Sequence, residues 1–339
     1  MQKRICIVYT GGTIGMLPSS NGFAPQPGCF AESLAQIPDL HSPEMPQWEL
    51  VELSPLLDSS NIAADQWYTI GQAIYQRYHL FDGFVVLHGT DTMAYTASAL
   101  SFMLENLNKP VIFTGSQIPL CQIRSDGRDN LLTSLLIAAQ GKVNQVCLYF
   151  GGVLLRGNRA TKCSADGLQA FSSPNYPVLA TAGVDIRYNP AAIGPQVTAG
   201  PLELVQPHTV PIGVLKVFPG IQFELFESIL TNKLRAIVLE TFGTGNLPDY
   251  NGSLLPLMQK AFAQGTLVTV CSQCHQGAVH LGTYATSSPL KQAGAVSGLD
   301  MTTEAAVAKL YYLFSKGFEP DAIKYWMEQD LRGELTPMV

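Results

Sequence analysis

The feature that most constrains the fold is a regular alternation of short apolar runs with longer amphipathic segments, from the N-terminus to about residue 190. Strand-length apolar runs separated by helical patterns are typical of βαβ units, in which helices cover both faces of a parallel sheet. The strands predicted on this basis are 4–9, 49–54, 83–88, 110–115 and 145–150, and the predicted helices are 64–79, 92–105 and 127–140.

A stretch rich in Pro and Gly, at 189–211, shows little periodicity and is predicted to link two domains. We therefore expect an α/β protein with a larger N-terminal domain at 1–188, built on a flavodoxin-like parallel sheet. A smaller C-terminal α/β domain is expected at 212–339, because the alternation resumes there. Its predicted strands are 212–217, 236–240 and 266–270, and its predicted helices are 222–232, 253–264, 302–316 and 319–330.

Composition restricts the classes of function. The 339 residues include 47% hydrophobic and only 14% charged residues, which excludes a disordered or fibrous chain. The formal net charge of −6 offers no electrostatic footprint for nucleic acid or an anionic membrane, so we expect a small-molecule substrate. No apolar run approaches the ~18 residues of a membrane span, and the first one is too short for a secretory signal. These features predict a cytoplasmic protein.

The seven cysteines fall mainly in apolar contexts, which is typical of reduced thiols rather than of a disulfide framework. Cys271 and Cys274 form a Cys-x-x-Cys pair, a spacing that can bind zinc or exchange disulfides. The apolar run 267–270 directly before this pair has the character of a buried strand, and the chain has no second such pair. We favour a structural role for Cys271 over metal or redox chemistry, and we expect no metal and no cofactor.

Two of the predicted strands end in a Gly-Thr turn. The first strand continues into Gly11-Gly12-Thr13, and the third into Gly89-Thr90. Glycine permits a close approach of the backbone, and open α/β sheets bind ligands just outside the carboxyl ends of their strands. Neither turn matches a dinucleotide or P-loop motif. One such turn would more often be an ordinary connection, but two together favour a hydroxyl nucleophile with backbone N–H groups nearby.

A threonine nucleophile needs a base or a polarising neighbour, because an unactivated alcohol reacts poorly at neutral pH. Asp91 directly follows Thr90, and Lys162 could supply an amine that exchanges a proton with a hydroxyl. Both residues have ordinary alternatives: Asp91 could only cap the helix at 92–105, and Lys162 could be a solvated surface lysine. His88 is more typical of a buried, hydrogen-bonded histidine than of a catalytic one.

Two further segments allow two interpretations each. Asp58-Ser59-Ser60 could be a simple turn or helix cap, or its polar groups could hold a small substrate at another strand end. The segment 16–32 is rich in Pro, Gly, Ser and Asn and follows Thr13 directly, so it could be an active-site lid or a plain surface hairpin.

Seven blocks of this sequence resemble those of bacterial L-asparaginases, in particular the cytoplasmic type I branch, in the same order and at similar spacing. The blocks are YTGGTIG (9–15), DSS (58–60), HGTDTM (88–93), TGSQ (114–117), RSDG (124–127), GTGN (243–246) and LRGELT (331–336). The resemblance covers essentially the whole chain. It implies hydrolysis of L-asparagine to L-aspartate and ammonia without a metal or cofactor. It also implies a homodimer or a dimer of dimers, with the active site near the subunit interface.

The resemblance also implies a role for each site residue. Thr13 would attack the side-chain amide carbon of asparagine and form an acyl-enzyme, while Thr90, Lys162 and Asp91 would form a supporting triad that manages protons and the attacking water. Ser59 would bind the α-carboxylate of the substrate and Asp91 its α-ammonium group. Four further residues complete the predicted substrate-binding set, namely Asp58, Ser60, Gly89 and Thr90.

This chain departs from the family pattern at two positions. Many relatives carry a tyrosine in the lid loop, and the matching residue here is Phe23, so we expect no phenol at this position to take part in proton transfer. Some type I relatives bind asparagine at an effector site that includes an arginine. Here the matching residues are Thr161, Cys274 and, in place of the arginine, Glu240. A carboxylate would repel the α-carboxylate of the effector, so we expect regulation to be weak or absent.

The leading functional hypothesis is therefore an asparaginase. A glutaminase or a related amidase is the alternative within the same chemistry, because one methylene changes binding in a pocket by only about 1–3 kcal/mol. A non-catalytic amino-acid sensor on the same scaffold is the alternative from another class. The sensor hypothesis does not explain why Thr13, Thr90, Asp91 and Lys162 are all present. A redox or metal protein based on Cys271 and Cys274 is a more distant third.

Overall fold

The computed structural model describes residues 2–20, 22–195, 200–248, 252, 254–282 and 288–337. The chain divides into two compact units, Met1–Gln206 and Pro207–Val339. Each unit contains its own sheet with mainly parallel strands and its own helices, so the predicted two-domain α/β class is confirmed.

The first unit contains most of the secondary structure. Within its described residues, the strands are β1 (Arg4–Gly11), β2 (Met16–Ser19), β3 (Gly22–Pro25), β4 (Gln47–Leu57), β5 (Gly83–Leu87), β6 (Leu104–Glu105), β7 (Val111–Thr114), β8 (Val146–Phe150), β9 (Val153–Arg156), β10 (Thr161–Lys162), β11 (Phe171–Ser172), β12 (Ala180–Ala182), β13 (Ile186–Tyr188) and β14 (Glu203–Leu204). The α-helices are α1 (Phe30–Ala35), α2 (Ala64–Tyr75), α3 (Met93–Met103), α4 (Gly127–Gln140) and α5 (Pro190–Ile193), and the 3₁₀ turns are Thr13–Gly15, Pro38–His41, Ser59–Asn61 and Gly157–Arg159.

The main sheet of the first unit has eight strands in the order β13-β12-β9-β8-β7-β5-β1-β4. The five strands predicted from the sequence, β1, β4, β5, β7 and β8, pair in parallel, as expected. Three shorter strands extend the sheet in antiparallel fashion on one side. The first of them folds back because Gly151 and Gly152, with φ of 56° and 88°, form a tight turn. The sequence pattern did not predict these strands, which are three to four residues long.

Burial on both faces explains why the parallel strands appear in the sequence as continuous apolar runs. All five residues of β5 are buried, as are seven of the eight residues of β1. Ile5 and Ile7 of β1 belong to a core cluster that also contains Leu131 and Leu135 of α4. β1 lies between β4 and β5 in the sheet, so the carboxyl ends of these three parallel strands lie at the same edge of the sheet.

The segment after Thr13 forms a hairpin in which β2 and β3 pair in antiparallel fashion, followed by α1. Phe23 lies on β3 and is 43% exposed. Phe30, the first residue of α1, stacks on the ring of Tyr9 with 3.9 Å between the ring centroids. The segment after Thr13 is therefore a β-hairpin, and its use as an active-site lid remains a prediction.

The predicted linker 189–211 crosses the boundary between the units. Its first part contributes the short helix α5 and the strand β14 to the first unit, and β14 pairs with β6. The predicted bounds of the linker and of the two domains remain predictions, because compactness alone does not define where a linker begins.

The second unit repeats the parallel pattern on a smaller scale. Its four-stranded sheet has the order β15-β16-β17-β18, and all three pairings are parallel. Its described strands are β15 (Ile212–Lys216), β16 (Ala236–Thr241), β17 (Leu267–Ser272) and β18 (Val296–Ser297). Its described helices are the 3₁₀ turn Phe223–Phe226, α6 (Glu227–Asn232), α7 (Leu254–Ala263), α8 (Ser288–Ala293), α9 (Thr303–Ser315) and α10 (Pro320–Met327). Across the described residues of both units, no helix is both long enough and apolar enough to span a membrane.

Candidate active site

Glycines bring the loops after three strands of the first unit into direct contact. Gly12 has a φ of 88°, and a β-carbon there would lie 2.5 Å from the backbone nitrogen of Gly89. A β-carbon on Gly89 would in turn lie 2.4 Å from the hydroxyl oxygen of Ser59. No side chain fits at either glycine without moving its neighbour. The loops that carry Thr13, Thr90 and Ser59 therefore meet at one edge of the sheet, as the strand-end argument predicts.

Thr13 is the first residue of a 3₁₀ turn that begins directly after Gly12. The turn is closed by a hydrogen bond from the Gly15 N–H to the Gly12 carbonyl, 3.3 Å long. Thr13 itself is partly exposed, whereas Ile14 beside it is buried and fixes the turn to the core. This arrangement gives solvent, or a substrate, access to the Thr13 residue at the sheet edge.

Thr90, Lys162 and Asp91 form one hydrogen-bonded cluster. The Lys162 ammonium donates to the Thr90 hydroxyl oxygen and to Oδ1 of Asp91, and both distances are 2.8 Å. Thr90 is buried, while the Lys162 side chain is 21% and the Asp91 side chain 64% exposed. Lys162 lies on β10, which pairs with β11 outside the main sheet. Lys162 is therefore not a solvated surface lysine.

The alternative interpretation of Asp91 as a helix cap does not match the structure. The residue that caps α3 is Thr92, and the helix begins at Met93. Asp91 precedes this cap and directs its carboxylate to Lys162. The ion pair gives the cluster one negative and one positive group beside the Thr90 hydroxyl, which is an arrangement suited to proton transfer.

The Asp58-Ser59-Ser60 segment forms the beginning of a 3₁₀ turn. The Asp58 carboxylate accepts from the backbone N–H and the hydroxyl of Ser60 and from the Asn61 amide, at 2.8–3.1 Å. The turn interpretation of Asp58 and Ser60 is thus confirmed, and their contact with a substrate remains a prediction. Ser59 is buried against Gly89, and its carbonyl accepts a 2.7 Å hydrogen bond from Thr92.

His88 is a buried structural histidine, as the sequence favoured. Its Nδ1 lies 2.7 Å from the carbonyl oxygen of Gly89, which requires the proton to be on Nδ1. Its Nε2 then accepts from the hydroxyl of Thr96 at 3.0 Å. Burial lowers the pKa of His88 from 6.5 to about 4, so the ring is neutral at physiological pH.

Gln117 belongs to the site, although sequence reasoning gave it no role. Its Oε1 lies 3.2 Å from the Thr90 hydroxyl, and it follows the end of β7, the strand that pairs with β5. The signal that points to this residue is the polar block TGSQ directly after an apolar run, the same pattern that identified the two threonine turns.

The predicted effector residues are distributed over both units. Thr161 lies on β10 of the first unit, and Glu240 lies on β16 of the second. The Glu240 carboxylate accepts a 2.6 Å hydrogen bond from the hydroxyl of Thr303. Cys274 is an exposed free thiol in the second unit. An effector role for these residues remains a prediction.

Cys271, the first residue of the Cys-x-x-Cys pair, has the buried position that the sequence favoured. Cys271 lies at a buried position on β17, and burial raises its pKa to about 12, which disfavours the reactive thiolate. Among the residues that the structure describes, no group of three or more His, Cys, Asp or Glu side chains is arranged to hold a metal ion.

Comparisons with known proteins find similar sequences and structures along nearly the whole chain. The model "Asparaginase, N-terminal" matches residues 4–193, and the model "Glutaminase/Asparaginase C-terminal domain" matches residues 211–327. The chain is 48% identical over 340 residues to L-asparaginase 1 of Escherichia coli K12, and the match covers 99% of both proteins. The crystal structure of L-asparaginase I from Vibrio cholerae is similar with a TM-score of 0.92 at 46% identity, covering 99% of this chain and 100% of that one.

A more distant relative has the same fold over its full length. The thermostable L-asparaginase from Thermococcus kodakarensis is similar with a TM-score of 0.89 at 29% identity, covering 99% of this chain and 100% of that one. Both family models and these full-length similarities lead to one conclusion. The chain belongs to the asparaginase family.

Proposed function

We propose that this protein hydrolyses L-asparagine to L-aspartate and ammonia, with Thr13 as the nucleophile. The observation that carries the proposal is the cluster of Thr90, Lys162 and Asp91, which lies at the same sheet edge as Thr13. The names of the relatives in Escherichia coli and Vibrio cholerae support asparagine as the substrate.

The proposed reaction has two steps. In the first step, the Thr13 hydroxyl oxygen attacks the amide carbon of the asparagine side chain, the C–N bond breaks, and ammonia leaves with the hydroxyl proton. In the second step, water attacks the acyl-enzyme, the bond to the Thr13 oxygen breaks, and aspartate leaves while Thr13 regains a proton. Thr90 and Lys162 exchange protons with the reacting groups, and the Asp91 carboxylate balances the charge of Lys162.

The residues that we assign to substrate binding lie at the same edge of the sheet as Thr13. We assign Ser59 to the α-carboxylate of asparagine and Asp91 to its α-ammonium group. Gly89 is required there because any larger residue would displace Ser59. Asp58 and Ser60 support this set by holding the turn that presents Ser59.

The test is the release of ammonia from L-asparagine by the wild-type protein and by the variants Thr13→Ala and Thr90→Val. We expect each variant to lose at least ~10²-fold in kcat, because each lacks a hydroxyl that takes part in the reaction. The matched control is Thr69→Ala, an exposed threonine of α2 that should keep wild-type activity. A loss of only a few-fold in either site variant would contradict the proposed chemistry.

The two alternatives are separated by the same assay with small extensions. A side-by-side measurement with L-glutamine distinguishes an asparaginase from a glutaminase or a related amidase. If the wild-type protein binds asparagine but neither it nor any variant releases ammonia, the sensor hypothesis replaces the enzyme hypothesis.

We further propose that the protein acts in the cytoplasm as a homodimer or a dimer of dimers. All seven cysteines are free thiols, which supports a reducing compartment.

We also propose that regulation by asparagine is weak or absent, since Glu240 supplies a carboxylate where an effector carboxylate would need a cation.

A further inference from the structure

The side chain of Gln117 connects two parts of the site. Its Oε1 lies 3.2 Å from the hydroxyl oxygen of Thr90. Its Nε2 lies 3.2 Å from the carbonyl oxygens of both Ala165 and Gly167, in the loop that follows Lys162. Carbonyl oxygens can only accept, so the NH₂ group must face them and the amide oxygen must face Thr90. The neighbours of Gln117 thus allow only one orientation of its amide.

This orientation determines where the hydrogen of the Thr90 hydroxyl lies. A hydroxyl has one hydrogen to donate, and the amide oxygen of Gln117 can only accept it. The Lys162 ammonium has only donors, so the Thr90 oxygen accepts from Lys162 at 2.8 Å. Thr90 therefore donates to one named partner and accepts from the other, which leaves one lone pair for the reaction.

The backbone of Gln117 is itself held firmly. The Asp126 carboxylate accepts from the N–H groups of Gln117 and Ile118 at 3.0–3.1 Å. Asn130, on the first turns of α4, donates to the carbonyl of Gly115 at 3.0 Å. The rigid helix α4 therefore fixes the loop that carries Gln117, and a catalytic side chain is oriented best by groups that cannot move.

The loop that accepts hydrogen bonds from the Gln117 amide is itself held by hydrogen bonds between its own residues. The Ser164 hydroxyl accepts from the N–H of Gly167 at 2.9 Å and donates to the Asp166 carboxylate at 3.2 Å. This local turn holds the carbonyl of Gly167 in place. Gln117 thereby connects the turn after Lys162 with the hydroxyl of Thr90.

We propose that Gln117 is a positioning residue for the asparaginase reaction, which orients the Thr90 hydroxyl so that its hydrogen is directed away from Lys162. This inference rests on the proposed function of the site. Without a fixed acceptor, the hydroxyl samples its staggered positions, and only one of these keeps one Thr90 lone pair toward Lys162 while leaving the other lone pair free for the reaction. The loss of Gln117 therefore lowers the fraction of molecules that are ready to react, and it removes no contact to the substrate.

The first test is Gln117→Met, a side chain of similar length without an amide. We expect kcat for asparagine to fall about 10- to 100-fold, while KM stays within about threefold of the wild-type value. The matched control is Gln122→Met, which makes the same change at an exposed position of the same segment and should keep wild-type kinetics. Thermal unfolding measures whether both variants are folded.

A second variant separates orientation of the hydroxyl from attachment of the loop. Gln117→Glu, assayed where the carboxylate is ionised, still accepts from Thr90 but donates nothing to Ala165 and Gly167. We expect its kcat to lie between those of the wild type and Gln117→Met. If it is as slow as Gln117→Met, loop attachment carries the effect and the inference is wrong.

Two outcomes of these assays have different meanings. An active wild type with an unchanged kcat in Gln117→Met, or a variant that changes only KM, overturns the inference and leaves the proposed function intact. A wild-type protein that releases no ammonia from asparagine overturns the proposed function, and the inference with it.

Discussion

The ammonium nitrogen of Lys162 lies 2.8 Å from the hydroxyl oxygen of Thr90, although 72 positions separate the two residues in the sequence. Thr90 follows β5, an interior strand of the main sheet, whereas Lys162 lies on a two-stranded ribbon outside it. Among the residues that the structure describes, Lys162 is the one charged side chain that hydrogen-bonds to the Thr90 hydroxyl. Substitutions at this site and elsewhere test what these contacts do.

Replacement of Lys162 by Met should reduce kcat for asparagine by about 10²–10⁴-fold, the usual contribution of one acid–base group. Steady-state ammonia release measures this change. The control is Lys3→Met, directly before β1, where the exposed pair with Asp82 contributes at most about 1 kcal/mol to stability. A loss below tenfold in Lys162→Met would remove Lys162 from the proposed triad.

Replacement of Gly89 by Ala should damage substrate binding. The added methyl group would lie 2.4 Å from the hydroxyl oxygen of Ser59, so Ser59 must move. We expect a decrease of roughly 10²-fold in kcat/KM, as displacements of about 1 Å at an active site produce. Gly183→Ala is the control, because no atom lies within 4 Å of a β-carbon there. Equal kinetics of the two variants would disprove the proposed contact between Ser59 and the substrate.

The buried His88 predicts a loss of stability on mild acidification. Because its pKa is about 4 in the folded state and about 6.5 in the unfolded state, only the unfolded state binds a proton between these values. The stabilising contribution is complete above pH 6.5 and is lost as the pH falls toward 4. Between pH 7 and pH 5 this amounts to about 2 kcal/mol in the free energy of unfolding.

Urea unfolding of the wild type and of His88→Asn at both pH values measures this contribution. The wild type should lose more stability than His88→Asn on going to pH 5, by about 2 kcal/mol. His79→Asn, which replaces an exposed histidine, should follow the wild type. Parallel behaviour of His88→Asn and the wild type would exclude His88 as the titrating group.

The second unit contains a buried ion pair whose disruption should be costly. Lys309 Nζ lies 2.5 Å from Oε1 of Glu334, and both side chains are fully buried. Glu334 also accepts from the backbone N–H of Leu331 and Arg332 at 2.7–3.2 Å. Lys309→Met leaves the carboxylate without its counter-charge, so we expect a loss of about 3–5 kcal/mol in the free energy of unfolding.

Chemical denaturation measures the effect of Lys309→Met. Asp321→Asn is the control, since the Asp321 side chain is 97% exposed and lies 3.5 Å from Lys324, and it should change stability by less than about 0.5 kcal/mol. If the two variants unfold alike, the buried pair does not stabilise the second unit.

The carboxylate at position 240 predicts the shape of the saturation curve. Glu240 would repel the α-carboxylate of an asparagine effector, so the rate should rise hyperbolically with asparagine concentration. Initial rates over a wide range of concentrations, with a Hill coefficient near 1, would agree with this prediction. Sigmoidal kinetics in the wild type would contradict it.

Local sequence patterns were sufficient for the main elements of both sheets. The apolar runs at β1, β5, β7 and β8 predict parallel strands because burial on both faces removes polar residues from them. The short strands β9, β12 and β13 were missed, since three to four residues show no clear periodicity. Their position depends on turns and on the successive pairings of β9 with β8, of β12 with β9 and of β13 with β12, which a local pattern does not contain.

The sequence by itself determined the fold class and the two Gly-Thr turns, because both depend on residues that are neighbours along the chain. Only the tertiary structure decided that Gly12, Gly89 and Ser59 touch, and that Lys162 and Gln117 converge on Thr90. Those contacts join residues 27 or more positions apart. They form because packing of the sheet aligns its strand ends, so only the folded chain converts two separate threonine turns into one site.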